Sequence, residues 1–398
     1  MPETLHIPVG IRFDCTGCGN CCLGWPVPVT QADHDRISGL NLEKINLDVK
    51  WLPRFRPLAS NDRRLRNYTH TLEKRQDGRC TFLTAEDRCA LHITFGAQSK
   101  PSMCSLFPYT FTHTPSGVFA SVSFASSGVL LNSGSPLTEQ AETLSQHWQL
   151  FKTLYPDWQT DWSGLQLLDG VAIGWSDYLR LEAKALADME KVGANFAQSL
   201  FDMAKLLIAQ LPAGVDPERL PPMEAPPEVI DQIILKHLNR LYLERDPLSN
   251  SQDLDARALM TEIVQAPPAV ALSDGTSQVS FTDLTEMNLG ELPADIEDLM
   301  RRFVYCRMFG KLYCGPSFGH LSIIAGLHHL HLLVSLLRLK MKLTILQGGT
   351  LSLYDVAELI RTVERQLTQL SMSKETSAVM EVLLSSPSRI ERVWHLAR

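Results

Sequence analysis

Four thiols fall within eight residues, at Cys15, Cys18, Cys21 and Cys22, and three more follow at Cys80, Cys89 and Cys104. A C-x2-C step curls the backbone so that two sulfurs point at one centre, and a second C-x2 step brings a third. Thiolates at this spacing bind soft metals, either zinc or the iron of an iron–sulfur cluster. Gly17 and Gly19 lie between them. Glycine takes positive φ without steric cost, which leaves backbone N–H groups able to face the sulfurs and offset clustered negative charge. We therefore take all seven cysteines as candidate metal ligands.

The adjacent pair Cys21-Cys22 narrows the chemistry. Neighbouring side chains rarely aim at one point, so Cys22 serves a second site, joins a large multi-iron cluster, or stays free. Seven thiols exceed the needs of one tetrahedral zinc. They fit a four-iron cluster with spare ligands, or two metal sites. A disulfide framework is the competing reading. A chain of 398 residues with nine cysteines has enough core not to need staples.

The elements that must position these thiols are short. Residues 1–135 read as an α+β cysteine domain rich in loops. Within it, Val118 to Phe124 alternates apolar with small or polar residues and reads as a strand. It joins Phe111-Thr112-His113 through Pro115-Ser116-Gly117 as a hairpin. Residues 136–398 read as a mainly α-helical body. Helical patterns run from Leu137 to Tyr155, from Tyr178 to Leu211 with a break near Gly193, and from Glu228 to Arg245. A proline-rich linker is expected near 212–227. A further short helix precedes Pro267-Pro268, and a polar loop is expected from Ala269 to Met287. Asp295 to Tyr313, Leu321 to Leu346 and Ser352 to Leu370 complete the helical patterns.

Composition is ordinary for a globular chain, with 44% hydrophobic and 20% charged residues and a net charge of −7. Residues 1–135 carry a net +3 and the remainder −10. An acidic body of this kind argues against nucleic acid as a partner. The start, Met1-Pro2-Glu3-Thr4, lacks the basic and apolar regions of a secretory signal. The apolar stretch from Ile323 to Leu337 is interrupted by His328, His329 and His331 and reads as too short and too polar to span a bilayer. The expectation is a cytoplasmic protein without a membrane partner, where thiols stay reduced.

The run from Phe13 to Trp25 resembles the CxxCxxCC cysteine-cluster family of zinc- or iron-chelating domains. The second half of that signature is matched by Cys80-Thr81-Phe82-Leu83, by Cys89-Ala90-Leu91, and by Pro101 to Tyr109 with Cys104 inside it. Cys22-Leu23-Gly24-Trp25, and a cysteine domain followed by a long helical body, resemble the flagellin lysine N-methylase branch. The resemblance implies methyl transfer from S-adenosylmethionine to lysine side chains of a protein substrate, flagellin or another. It also implies an iron–sulfur cluster, of the 4Fe-4S type, in preference to zinc. Where that branch has a further cysteine, this chain has Ser126 and Ser127. The alternatives are a non-enzymatic zinc or iron–sulfur scaffold, or a metal-handling protein. No catalytic residue or general base is identified. Neither G-x-G-x-x-G after a strand nor a P-loop is present.

Other residues invite blander readings. His92, three after Cys89, is a candidate partner of the metal site, and His113 a weaker one. Asp14 is read as structural. His328 and His331 share a helix face, with His329 and His320 nearby; burial in a helical core is the expectation, a second metal site the alternative. Cys306 and Cys314 are read as small buried apolar residues. Arg54, Arg56, Arg63, Arg64, Arg66, Lys74, Arg75 and Arg79 form a basic segment, read as a solvated loop or a docking surface for an acidic partner or the carboxylate of S-adenosylmethionine.

Overall fold

The alternating and helical patterns resolve into an α+β fold. The computed structural model describes residues 3–23, 27–45, 55–58, 65–158, 160–218, 226–245, 253–273, 278–370 and 372–398. Chain contacts define two units. One comprises residues 1–111 and 120–159, the other residues 112–119 and 160–398. The division thus runs around the hairpin tip and at 159, where the sequence reading draws it at 135. Gly24, Trp25, Arg54, Arg63, Arg64 and part of the proline-rich linker lie outside the described residues.

In the first unit the elements are brief because turns and bridges carry much of the backbone pairing. They are β1 (Leu5–His6), β2 (Pro28–Val29), α1 (Gln31–Ser38), β3 (Phe55–Pro57), β4 (His70–Leu72), α2 (Ala90–Phe95) and α3 (Ser102–Leu106). Then follow β5 (Tyr109–Thr114), β6 (Gly117–Val122), α4 (Ser127–Leu130) and α5 (Ala141–Leu154). One sheet has the order β2-β4-β3, antiparallel, with Val29 opposite His70 and Phe55 opposite Leu72. Another has the order β1-β6-β5, and its hairpin falls where the sequence places it. Thr30 caps α1 by accepting from the Asp33 N–H at 3.0 Å. Asp33 is buried and in turn accepts from the backbone N–H and hydroxyl of Ser102, at 3.0 and 2.9 Å. That carboxylate therefore ties α1 to the start of α3. Val27, Val29, Ile37, Leu72, Phe82 and Leu91 form the apolar cluster beneath.

Among its described residues from 160 onward, the second unit is mainly helical, with two small antiparallel strand pairs. Its elements begin with β7 (Gln166–Leu168), β8 (Val171–Ala172), α6 (Trp175–Met189), α7 (Phe196–Ile208) and α8 (Pro227–Asn239). The last of these runs into a π-helical turn, Arg240–Glu244. Next come α9 (Ala256–Gln265), β9 (Ala271–Ser273), β10 (Gln278–Ser280), α10 (Phe281–Glu286), α11 (Ala294–Phe309), α12 (Ile323–Leu346), α13 (Leu353–Gln369), α14 (Lys374–Leu384) and α15 (Pro387–Ala397). Ser352 and Asp355 make a capping box at the start of α13.

α12 is the axis of this unit. Every residue from Ile323 to Leu343 is buried, against α15, α7 and α14 among others. A helix that is apolar all round belongs in a core. Gly326 is required there, because a Cβ would meet the Tyr313 carbonyl oxygen at 2.1 Å. His328 Nδ1 lies 2.6 Å from the Leu384 carbonyl oxygen, His329 Nε2 lies 2.9 Å from the Tyr242 hydroxyl, and His331 packs on Phe201 with centroids 4.6 Å apart. The three rings point to different neighbours and do not gather around an ion. Cys306 and Cys314 are buried, as expected.

Several expectations change. The stretch 269–287 is not one polar loop. β9 and β10 pair antiparallel, with Val279 opposite Leu272, and α10 follows. Leu272, Phe281 and Leu284 bury their side chains, so three scattered apolar residues set the structure despite the polar majority. Two helices, α14 and α15, follow the last helical pattern that the sequence reading assigns. The length argument about a bilayer span also fails. α12 has 24 residues and is apolar enough to cross a membrane by composition, but 94% of its most apolar window is buried in the protein.

Candidate metal centre

The seven cysteines are separated by up to 89 positions and yet line one cavity, of about 210 Å³. Three chain segments deliver them. Cys15 and Cys18 lie on the loop after Phe13, and Cys21 and Cys22 end a 3-10 turn, Asn20–Cys22. Gly17 and Gly19 both take φ of +67°, as the sequence predicts. Gly19 also has no room for a side chain, since a Cβ would come within 2.9 Å of the Asp87 Cβ. Cys80 and Cys89 belong to the second segment, where single antiparallel bridges pair Leu23 with Arg79, Lys74 with Cys80, and Leu83 with Cys89. Cys89 precedes α2, and Cys104 lies within α3. The hydrogen bonds from Ser102 to Asp33 thus fix the helix that presents the last thiol.

The basic segment has a clear role among its described members. Lys74 Nζ donates to the Cys22 carbonyl oxygen at 2.8 Å, the Arg75 guanidinium donates to the Leu83 carbonyl, and Arg79 pairs with Asp87. These side chains lace the cysteine loops together. Arg56 and Arg66 pair with Glu73 and Asp157. None of the described basic residues from 56 to 79 lines the cavity, whereas Lys100 does.

The remaining wall is aromatic and hydroxylic. Phe13 meets Tyr109 edge-on at 5.7 Å, and Tyr109 lies 5.0 Å from the His147 ring. Burial and the nearby Asp14 carboxylate raise the Tyr109 phenol to about 12, so it stays protonated and donates to Gln140 Oε1 at 3.0 Å. Cys18 Sγ stands 3.1 Å from Ser127 Oγ, and Asn20 Nδ2 donates to the same oxygen at 3.3 Å. Gly128 lets the first segment approach α4, because a Cβ there would meet the Asp14 carbonyl oxygen at 2.5 Å and the Phe13 ring at 3.0 Å. Sequence reasoning singles out Ser127, and Tyr109 as part of the signature, but misses Lys100 and His147. Nothing local marks these two, since they reach the cavity from separate parts of the chain. All the lining residues belong to the first unit. His92 is exposed and does not line it, and His113 offers its carbonyl oxygen to Trp162 Nε1 at 2.9 Å. Asp14 is structural, accepting from the Ser135 N–H at 2.9 Å.

Four of the thiols, Cys22, Cys80, Cys89 and Cys104, are pushed toward their neutral form. A hydrogen bond with Cys21, then burial, then the proximity of Cys21, Cys104 and Cys80 raise the Cys22 thiol far above its ordinary value. Burial raises Cys80, Cys89 and Cys104 as well. Crowded thiolates repel one another in a poorly solvated site, and a bound cation reverses that penalty. Among the described residues, no group of three or more His, Cys, Asp or Glu side chains has its donors gathered ready to hold an ion. The donor set is nonetheless all sulfur around one cavity, which fits a soft metal.

Residues 14–122 match the model of the CxxCxxCC family, described as a "putative zinc- or iron-chelating domain". The match takes in all seven cavity cysteines and ends at the last residue of β6. No curated protein and no solved structure matches the chain. In the CxxCxxCC domain the spacing of the thiols and their shared cavity point to the same chemistry, zinc or iron chelation by sulfur.

Proposed function

We propose that this chain is an iron–sulfur protein whose cysteine cavity holds a four-iron cluster, and that it methylates lysine side chains of a protein substrate with S-adenosylmethionine. The observation that carries the metal part is the convergence of seven thiols from three segments on one cavity. The methyltransferase part rests on the resemblance to flagellin lysine N-methylases and on a wall that suits a small organic ligand, with aromatic rings and Lys100 beside the sulfurs. A cluster bound there would supply a Lewis-acidic iron able to fix the carboxylate and amine of a co-substrate. In the transfer itself, the lone pair of a neutral lysine nitrogen attacks the sulfonium methyl carbon. The sulfur–carbon bond breaks, and the nitrogen then loses a proton. In this reading the protein works in the cytoplasm, on a protein partner, without nucleic acid or membrane.

The test is anaerobic purification followed by iron, sulfide and zinc analysis, and then calorimetric titration with S-adenosylmethionine. A brown protein absorbing near about 400 nm with matched iron and sulfide supports the cluster. Stoichiometric zinc without sulfide overturns it, and failure of S-adenosylmethionine to bind cluster-loaded protein overturns the methyltransferase reading. A second reading, a structural metal module, is favoured by one observation: around the cysteines the three segments are joined by isolated bridges rather than long strands. Small domains built this way take much of their folding free energy from metal binding.

A further inference from the structure

The seven thiols do not share one environment. Cys80 is only 7% exposed and sits inside the apolar cluster of Val29, Leu72, Phe82 and Leu91, with Cys22, Cys89 and Cys104 packed against that cluster. Cys15, Cys18 and Cys21 are not part of it. Cys15 is exposed; Cys18 and Cys21 are half-buried, as are Cys22, Cys89 and Cys104, and the Cys18 sulfur faces the Ser127 hydroxyl and, through it, the Asn20 amide. Four of the cysteines therefore pack in or against the apolar cluster, and three line the cavity without joining that cluster.

Within the proposed chelating role, we infer that the cavity holds two metal loci. Cys22, Cys80, Cys89 and Cys104 form an inner, closed four-thiolate site, while Cys15, Cys18 and Cys21 form an outer three-thiolate site with one position left for an exogenous ligand. Closed four-thiolate sites serve structure, and three protein ligands with an open fourth position serve chemistry. The chain pattern agrees. Cys15, Cys18 and Cys21 are the evenly spaced C-x2-C-x2-C triple, and Cys22, the odd neighbour, packs against the apolar cluster with the later thiols while keeping a hydrogen bond with Cys21. The adjacent Cys21 and Cys22 mark the seam between the loci. The inner site clamps all three segments together, since it takes one thiol from the first, two from the second and one from the third. The outer site takes all its thiols from one loop, so it forms and exchanges without unfolding the unit. Phe13, Tyr109 and Ser127 line the same cavity, and such a wall suits a small anionic or amine-bearing ligand.

The probe is Co2+ alone, titrated anaerobically into the metal-free full-length chain, with bound cobalt counted by mass spectrometry and its absorption recorded. Two ions per chain are expected. Added imidazole should shift the absorption of one and leave the other unchanged. Cys15→Ser and Cys18→Ser should each lose one ion and keep the other, with far-ultraviolet circular dichroism unaltered. Cys80→Ser is expected to lose the inner ion, and because that variant can fail to fold, the unaltered chain supplies the deciding measurement. Excess chelator should remove one cobalt at least about tenfold faster than the other. A single bound ion, or two ions released in one phase, overturns the two-locus assignment while leaving chelation intact. No cobalt bound at all would instead sink the chelation reading itself.

Discussion

The Cys18 sulfur lies 3.1 Å from the Ser127 hydroxyl oxygen across 109 positions of sequence. The thiol donates to that hydroxyl. Once a metal takes the thiolate form, the hydroxyl reverses and donates to sulfur, while the Asn20 amide supports its oxygen at 3.3 Å. Hydrogen bonds of this kind orient a ligand and spread its charge. Ser127→Ala should therefore weaken metal retention by about tenfold, with Ser127→Thr near the parent value. Competition against a chromophoric chelator measures it; equal retention in the parent chain and the alanine variant would remove Ser127 from the site.

Metal removal should act on the two units differently. Binding free energy becomes folding free energy in small metal domains. Chelator treatment, or Cys80→Ser, should unfold the residues of the first unit while most helical signal persists. Cys306→Ser should leave metal content unchanged, because that sulfur is buried in the second unit. Metal analysis beside circular dichroism checks both, and equal metal loss in Cys306→Ser and Cys80→Ser would refute the assignment.

Gly19 is held at φ of +67° with the Asp87 side chain pressed against it. Gly78 has a similar φ, +77°, but open space around it. Both alanine substitutions carry the left-handed strain, about 1–2 kcal/mol. Gly19→Ala should cost more than Gly78→Ala by chemical denaturation, and should also loosen metal binding. Matching losses would mean that the Asp87 contact relaxes freely.

Burial lowers His328 to about 4, and His329 and His331 to about 3. In the unfolded chain each ring titrates near about 6.5. Between these values the unfolded state binds protons that the folded state does not. Stability is therefore complete above about pH 6.5 and falls as the pH drops toward 4, by up to about 1.4 kcal/mol per pH unit for each ring. Urea melts across this range should show the slope. His331 Nε2 has no hydrogen-bond partner, so His331→Leu should flatten the slope by close to one ring's share. An unchanged slope would mean that the ring is already hydrated in the fold.

Lys311 and Glu182 form a fully buried ion pair, and Glu182 also accepts from Tyr178 at 2.7 Å and Tyr313 at 3.2 Å. Removing one partner strands a charge. Lys311→Met should cost about 3–5 kcal/mol, while Lys311→Met with Glu182→Gln should recover much of it. A thermal double-mutant cycle reads the coupling, and simple additivity would show that the two groups do not interact.

The sequence by itself determined the metal chemistry and the fold class. Seven thiols at chelating spacing, glycines at the two left-handed positions, a hairpin at Pro115-Ser116-Gly117 and long helical patterns through α11, α12 and α13 were all legible, because each is a local property of spacing or periodicity. The tertiary structure decided what depends on segments meeting. It packed Cys22, Cys80, Cys89 and Cys104 in or against an apolar cluster that Cys15, Cys18 and Cys21 do not join, since that cluster is set by segments distant in sequence. It placed Ser127, Tyr109 and His147 on one cavity, and it gave Lys74, Arg75 and Arg79 of the basic segment the role of loop ties. It also fixed β9 and β10 from few apolar residues, because their strand pairing and burial depend on the rest of the second unit rather than on their own polar sequence.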